Sequence, residues 1–580
     1  MIQEFTLNTE QARAFRLVAE HSLDRRNEPL KMYLGGPGGT GKSRVINALK
    51  EFFSRKGQSR RFRLASFAGI AAKNISGMTV HSALLLNQRG GKAAQSKTKR
   101  DLVSSWEGVD YFFIDEVSTI SCKLLSDISD ALVDAKSNTA PFGGVNMILA
   151  GDFAQLPPVR ATRLSAAVDT NPARTTKPYA QGIVAGKLLW QSFTKVVMLT
   201  QIMRQAGNEN KDFVDLLMRL RTGTCTDDDH ATLSHRLIQN QDVNPRDWED
   251  TPIIVSGNAQ KDALNDYAAA AFAARTNQEL HWYHAVDTHR GKQITDGTLK
   301  RHLQSLHSGL TNQRLGKIPL VIGMPVMIGQ NYDLEGGIVN GCMGKLRKIR
   351  YKEDEHGNRY ATSCVVECDS ISCEALHGLP PNHAVVLEDT VDMTFEHPHS
   401  GKKCKIKRTQ LPLTPAFALT AHKAQGQTMP KALVDIQSCR GTESPYVMIS
   451  RVTSLQGLLI LRPFDTKKIK CRQSEDVRKE MTRLETLRWQ TIAEIGSLAE
   501  KRTARKMLKT RIDREQESYS VNQPLKRPRK VSQNDNQSNV KKRRIAADVA
   551  PSYGDQGLEM DVDIDHADAP LRIPKKVQVL

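Results

Sequence analysis

The sequence predicts an α/β protein built on parallel sheets, with a nucleotide-binding loop in its first half. Three observations carry this. From Thr6 to about Trp190, apolar strand-like runs alternate with amphipathic helical stretches. The run Tyr33-Leu-Gly-Gly-Pro-Gly-Gly-Thr-Gly-Lys-Ser43 contains the pattern G-x-x-x-x-G-K-S. A second alternating region begins near Val196. It is interrupted between about Gly344 and Arg408 by short alternating runs such as Ala384–Leu387 and Val391–Phe395, which read as a small inserted β-domain.

Strands are expected at Met32–Leu34, Arg63–Ser66, Tyr111–Ile114 and Asn146–Leu149, then at Pro252–Ser256, Ala432–Ile436 and Leu458–Leu461. The glycine run follows the first of these. Val45, Ile46, Leu49, Phe52 and Phe53 then recur at helical spacing, so the run sits between strand and helix. Its chemistry is mechanical. Gly36, Gly38, Gly39 and Gly41 let the backbone around Thr40 curl until several amide N–H groups share one concavity that holds phosphates. Lys42 then reaches the outer phosphates, and the Ser43 hydroxyl is placed to ligate Mg²⁺.

A second apolar strand, Tyr111-Phe-Phe-Ile, ends in Asp115-Glu116, which puts two carboxylates at a strand's C-terminal edge beside the phosphate loop. Asp115 suits Mg²⁺, and Glu116 suits deprotonation of an attacking water. A third apolar strand runs into Gly151-Asp-Phe-Ala-Gln155-Leu-Pro-Pro158, where the Gln155 amide can sense a terminal phosphate. Upstream, Gln11 either reads an adenine edge or sits at an exposed helix N-terminus, and the residues alone leave both open.

Composition narrows the partners. The 580 residues carry a formal charge of +20, which points to a polyanion. The nine cysteines show no C-x-x-C pair. Cys364, Cys368 and Cys373, with His377 nearby, read as small residues of a β-rich segment rather than a metal site. No apolar run approaches the roughly 18 residues of a membrane span. Met1–Glu10 has Glu4 and Glu10 and no basic residue, against a secretory or Arg-rich transit signal. After Phe464 a charged helical stretch shows one apolar face made by Val477, Met481, Leu484, Leu487, Ile492, Ile495 and Leu498. Beyond Glu517 no core-forming pattern remains, so disorder is expected. Within that tail, Lys526-Arg-Pro-Arg-Lys530 and Lys541-Lys-Arg-Arg544 have the spacing of a bipartite nuclear import signal, and they would also bind DNA non-specifically. A nuclear location and an import receptor as partner are therefore expected.

Taken in order, Gly36–Ser43, Phe112–Glu116, Gly151–Pro158, Leu199-Thr-Gln-Ile-Met-Arg-Gln205, Ala421-His-Lys-Ala-Gln-Gly-Gln-Thr428 and Tyr446-Val-Met-Ile-Ser-Arg-Val-Thr-Ser454 resemble the motif set of the Pif family of superfamily-one DNA helicases, relatives of the RecD-like group. The wording is also similar to the helicase part of Helitron-type rolling-circle transposons. The resemblance runs from about Asn8 to Phe464 and implies two RecA-like P-loop NTPase lobes. The implied division is a first lobe at 1–195, a second at 196–343 and 409–465, an inserted SH3-like β-domain at 344–408, a helical region at 466–517 and a disordered tail at 518–580.

It also implies site roles. Lys42, Glu116, Gln155, Arg204 and Arg451 would act on ATP, with the two arginines reaching the nucleotide from across the cleft. Ser43 and Asp115 would hold Mg²⁺. Gln11, Gly36, Gly38, Gly39, Thr40, Gly41 and Gly426 would bind the nucleotide. Gly69, Thr79, His81, His422, Lys423 and Gln425 would line the path of single-stranded DNA. Ser66-Phe67-Ala68-Gly69 departs from the family's usual Ala-Pro-Thr-Gly. The expected activity is ATP-dependent, 5′-to-3′ unwinding of forked DNA by a monomer, in repair, recombination or telomere maintenance. Three alternatives stay open: a DNA-stimulated translocase of transposon origin that does not unwind, an RNA helicase, and a non-catalytic nucleic-acid binder.

Overall fold

The strand that precedes the glycine loop lies inside a six-stranded, all-parallel sheet. In a computed structural model that describes residues 1–521, apart from 25–27, 87–91, 170–175, 206, 334–335, 370 and 372–377, its strands are β1 (Lys31–Gly35), β2 (Phe62–Ser66), β3 (Met78–Thr79), β4 (Tyr111–Asp115), β5 (Asn146–Gly151) and β6 (Lys195–Met198). The order across the sheet is β3-β2-β4-β5-β1-β6. Helices cover both faces, so β1, β4 and β5 are apolar almost throughout and read as unbroken runs in the sequence. β6 is where structure and expectation part. The first lobe was expected to end at 195, yet Met32, Tyr33, Leu34 and Gly35 pair with Lys195, Val196, Val197 and Met198. β1 needs a neighbour on each side, and β6 supplies the second.

A second parallel sheet has four short strands in the order Ala418–Thr420, Ile253–Val255, Ala432–Val434, Leu458–Ile460. Its core includes Leu216, Leu220, Val447, Ile449 and Phe464, and it also takes Ala154 and Leu156 from the loop after β5. Both parallel sheets belong to one compact unit, Met1–Arg505, with Pro574–Leu580 outside the described residues.

The inserted β region is larger than its alternation suggested. Strands Met343–Glu353, Arg359–Glu367 and His383–Leu387 share a seven-stranded sheet with His281–His284, Lys317–Leu320, Pro325–Ile328 and Leu413–Pro415. Asp389–Glu396 and Lys403–Gln410 pair in a four-stranded sheet that reaches back to Val286–His289. The β region therefore starts near His281 rather than Gly344, because Met343–Glu353 would otherwise present an unpaired edge where Pro325–Met327 now sits.

Helix Glu475–Ile495 returns to the first lobe. Val477, Leu484 and Ile492 are buried, Trp190 Nε1 donates to Glu480, and Lys195 pairs with Glu494. Ile495 and Leu498, expected on the same apolar face, are exposed; the helix stops at Gly496, and beyond it Glu500 pairs with Arg13 of the first lobe. The next helix, Leu498–Val521, continues past the expected start of disorder at 518. The basic segments of the tail lie outside the described residues.

Candidate functional site

The phosphate loop links β1 to helix Lys42–Arg55. Gly39 and Gly41 lie in the left-handed region, at φ +85° and +83°. A Cβ at Gly41 would sit 2.4 Å from Gln11 Nε2, and one at Gly39 would sit 2.5 Å from Arg204 Cβ, so both positions demand glycine on two counts. The Thr40 hydroxyl donates to the Pro37 carbonyl (2.9 Å), and Lys42 Nζ donates to the carbonyls of Gly36 (2.9 Å) and Pro37 (3.0 Å). Gln11 is buried. Its Nε2 donates to the Thr40 carbonyl (3.1 Å), and its Oε1 accepts from Asn8 N (3.1 Å) in a capping box. One end of its amide thus braces the loop and the other caps its own helix, and the residue is buried rather than at an exposed helix start.

At the end of β4, Asp115 is pushed up to about 7 by loss of water and by Glu116, against the pull of Lys42. Lys42 is itself lowered by burial, with Asp115 opposing. Glu116 adopts φ 57°, ψ 46°, a left-handed conformation unusual for a residue with a side chain, and such strain concentrates at functional sites. Its Oε2 accepts from Gln425 Nε2 of the second lobe (2.8 Å). Ser43, Asp115 and Glu116 line a cleft of about 380 Å³ with Lys42, Gln155, Arg204, Gly426 and Arg451. Gly426, at φ +81°, approaches so closely that a Cβ there would lie 3.4 Å from Glu116 Oε1.

Gly38 marks the convergence point. A Cβ placed on it would meet Arg451 Nη2 at 3.3 Å, Arg204 Nη1 at 3.5 Å and Gln155 Nε2 at 3.5 Å. Two guanidinium groups and an amide N–H thus converge on one stretch of the loop, an arrangement suited to an anion. Arg451 is fully buried and hydrogen-bonds only neutral partners: Val447 O (2.7 Å), Gln427 O (3.3 Å) and Ser450 Oγ (2.9 Å). Burial and neighbouring Arg204 lower it to about 10. Arg204 is not a visitor from across the cleft. Its backbone N–H and that of Met203 both donate to Gly39 O, which fastens it to the loop, while its Nη1 reaches over to Ser450 O (2.9 Å). Only Arg451 comes from the second lobe. Gln155 Oε1 is buried without a hydrogen-bond partner among the described residues, leaving an acceptor in this cleft.

The sequence reading assigned no role to Asp152, Arg221 or Tyr446, which form the most enclosed polar group beside the cleft. Asp152 is fully buried and accepts from Arg221 Nε (3.0 Å) and Nη2 (2.7 Å), from Ala154 N (3.0 Å) and from the Tyr446 hydroxyl (3.3 Å). That hydroxyl in turn accepts from Gly38 N (3.2 Å). Asp152 and Tyr446 stood inside quoted motifs. Arg221 left no signal beyond an arginine on the apolar face of helix Lys211–Thr222.

A second cleft, of about 470 Å³, runs between the lobes and the β region and is lined by Phe67, Ala68, Ile70, Asn340, His422, Lys423, Gln425 and Glu116 among others. His422, Lys423 and Gln425 are brought together there as expected. Lys423 Nζ donates to Asn340 Oδ1 (2.6 Å), and burial together with Lys261 lowers it to about 8. Gly69 is buried beneath the cleft floor, where a Cβ would lie 2.8 Å from Asn331 Oδ1. Thr79 caps helix Val80–Ala83 through Ser82 N (3.2 Å) and is likewise buried. His81 reaches the cleft only through the edge of Phe67, with ring centroids 5.7 Å apart. Phe67 is 41% exposed and is the aromatic surface the sequence reading passed over. Cys364 and Cys368 are buried free thiols, Cys373 and His377 lie outside the described residues, and no metal-holding cluster of three or more His, Cys, Asp or Glu occurs among those described.

Residues 6–231 match the family model described as PIF1-like helicase. The chain is 28% identical over 476 residues to the ATP-dependent DNA helicase PIF1 of Xenopus laevis, covering 81% of this chain and 63% of that protein. It is 25% identical over 543 residues to the protein of the same name from Saccharomyces cerevisiae, covering 76% and 58% respectively. The chain thus spans about three fifths of the length of these relatives. The crystal structure of Pif1 helicase from Candida albicans superposes with a TM-score of 0.57 over 83% of this chain and 99% of that one, at 22% identity, which speaks to the fold.

Proposed function

We propose that this chain, whose residues 6–231 match the PIF1-like helicase family model, is an ATP-driven motor that moves 5′-to-3′ along single-stranded DNA and separates duplex ahead of it. The observation that carries the proposal is the composite cleft, in which Lys42, Glu116 and Gln155 on the first lobe face Arg451 on the second. The names of the aligned relatives support DNA as the track.

In this reading the loop amides and Lys42 hold the phosphates of ATP. Ser43 and Asp115 would hold Mg²⁺, which neutralises phosphate charge when bound. Asp115 fits that task, since a cation beside it relieves the like charge of Glu116 that raises it. Glu116 takes a proton from the attacking water, and the unpaired Gln155 Oε1 is an acceptor that orients it. Arg451 stabilises charge spreading over the transferred phosphoryl group, and it can do so only while the second lobe is closed on the loop. Hydrolysis therefore releases the lobes from one another, and alternate grips in the second cleft advance the strand. Nuclear genome maintenance is the setting we propose, with action as a monomer and import through the basic tail.

The test is unwinding of duplexes carrying a 5′ or a 3′ single-stranded tail, with and without ATP. ATP-dependent strand separation on the 5′-tailed substrate is expected. Preference for the 3′ tail would overturn the polarity, and DNA-stimulated hydrolysis without strand separation would reduce the protein to a translocase.

A further inference from the structure

Tyr446 joins the two lobes through a single oxygen atom. That oxygen accepts from Gly38 N of the phosphate loop (3.2 Å) and donates to Asp152 Oδ2 (3.3 Å), on the loop that also carries Gln155. Asp152 cannot shift freely, because Arg221 grips both its oxygens and is buried with it. Arg221 is tied in turn to the chain's C-terminal segment, where Gln473 Nε2 donates to its carbonyl (2.7 Å). Tyr446 sits in helix Glu443–Ile449, which leads directly into Ser450 and Arg451. One phenol thus touches the loop that binds phosphate, the loop that senses it and the helix that delivers the arginine.

A purely structural tyrosine would have no reason to hold the Gly38 amide. Gly38 is where Arg451, Arg204 and Gln155 converge, so the stretch of loop that Tyr446 holds is the stretch beside which an outer phosphate lies. A phosphate oxygen is a charged acceptor and draws the two guanidinium groups and the Gln155 amide beside Gly38 toward it. Arrival of the phosphate therefore loads the loop that Tyr446 holds at Gly38, while the Tyr446 hydrogen stays on Asp152. We propose that Tyr446 is a positioning residue that transmits occupancy of the outer phosphate site to the second lobe, and so to the grip on single-stranded DNA. This rests on the motor reading given above.

A phenylalanine keeps the volume of Tyr446 and removes both hydrogen bonds. The measurement is the dissociation constant for a fluorescent single-stranded oligonucleotide, with and without a non-hydrolysable ATP analogue, in the full chain and in Tyr446→Phe. In the full chain the analogue is expected to change DNA affinity about tenfold, within the usual range of site-to-site coupling, and in the variant by no more than about twofold. A merely structural role would move both constants together and leave their ratio intact. Equal ratios in the two proteins overturn the inference while the motor reading stands. A full chain whose DNA affinity ignores the analogue overturns both. Should Tyr446→Phe fold poorly, hydrogen exchange of the unaltered chain decides. Peptide 443–451 is expected to change its exchange with the ATP analogue and not with ADP, and identical exchange under both overturns the inference.

Discussion

The two clefts between the lobes are built in opposite ways. In the nucleotide cleft most polar groups are already paired: Lys42 to two carbonyls, Thr40 to one, Asp152 to Arg221, and Arg204 to Ser450. The second cleft is lined more by apolar and small residues, with Phe67 and Val159 exposed and Lys423 held by one asparagine. Chemistry on a phosphoryl group needs donors fixed before the reaction, whereas a strand that must slide needs weak, repeated contacts. The clefts share one wall. Glu116 lines both, and Gln425 of the second cleft donates to it.

The contrast predicts that nucleotide-cleft substitutions act on turnover and second-cleft substitutions on coupling and grip. Arg451→Met should have the largest effect, lowering DNA-stimulated ATP hydrolysis about 10³-fold. The same variant should unfold at an equal or higher temperature, because it removes a buried guanidinium that burial already disfavours. A steady-state assay beside a thermal melt checks both, and a large fall in melting temperature would mean that Arg451 is structural. Arg221→Leu breaks a buried pair and leaves Asp152 uncompensated. It should cost about 3–5 kcal/mol of stability, read by urea unfolding. Gln425→Ala removes the hydrogen bond that ties the second cleft to Glu116, and the ratio of DNA-stimulated to DNA-free hydrolysis should drop about tenfold. If that ratio survives, the clefts communicate elsewhere.

The smallest effect concerns pH. Lys423 titrates near 8, lowered by burial and by neighbouring Lys261, so it is charged below that pH and neutral above it. Its contribution to phosphate binding is therefore present at pH 7 and lost as pH rises toward 9. Affinity for single-stranded DNA should weaken a few-fold over that interval, and Lys423→Arg, which keeps its charge, should flatten the profile. A flat profile in the unaltered chain would place Lys423 off the track.

Legibility in the sequence divides along the same line. The phosphate loop, Asp115 and Glu116 were readable because each is a local consequence of a strand ending where a loop begins. The helix run from Val477 to Ile492 was readable from its period, and its continuation to Leu498 was not, since Gly496 ends the helix before the apolar pattern stops. β6 looked like the start of a second lobe because nothing in Lys195–Met198 says which sheet it joins. The β region looked shorter than it is, because Pro325–Ile328 becomes an interior strand only once Met343–Glu353 and Leu413–Pro415 flank it.

By itself, then, the sequence determined the α/β class, the phosphate loop and its carboxylates, since these depend on residue spacings of a few positions. Tertiary structure alone decided that Arg204 belongs to the loop it was expected to approach, that Thr79 and Gly69 are buried, and that Tyr446, Asp152 and Arg221 form one network. Arg221 and Tyr446 lie 69 and 294 positions from Asp152, respectively. No local pattern marks a contact between residues so far apart. Only the burial of Asp152, which a lone charge would not survive, obliges the chain to bring Arg221 to it.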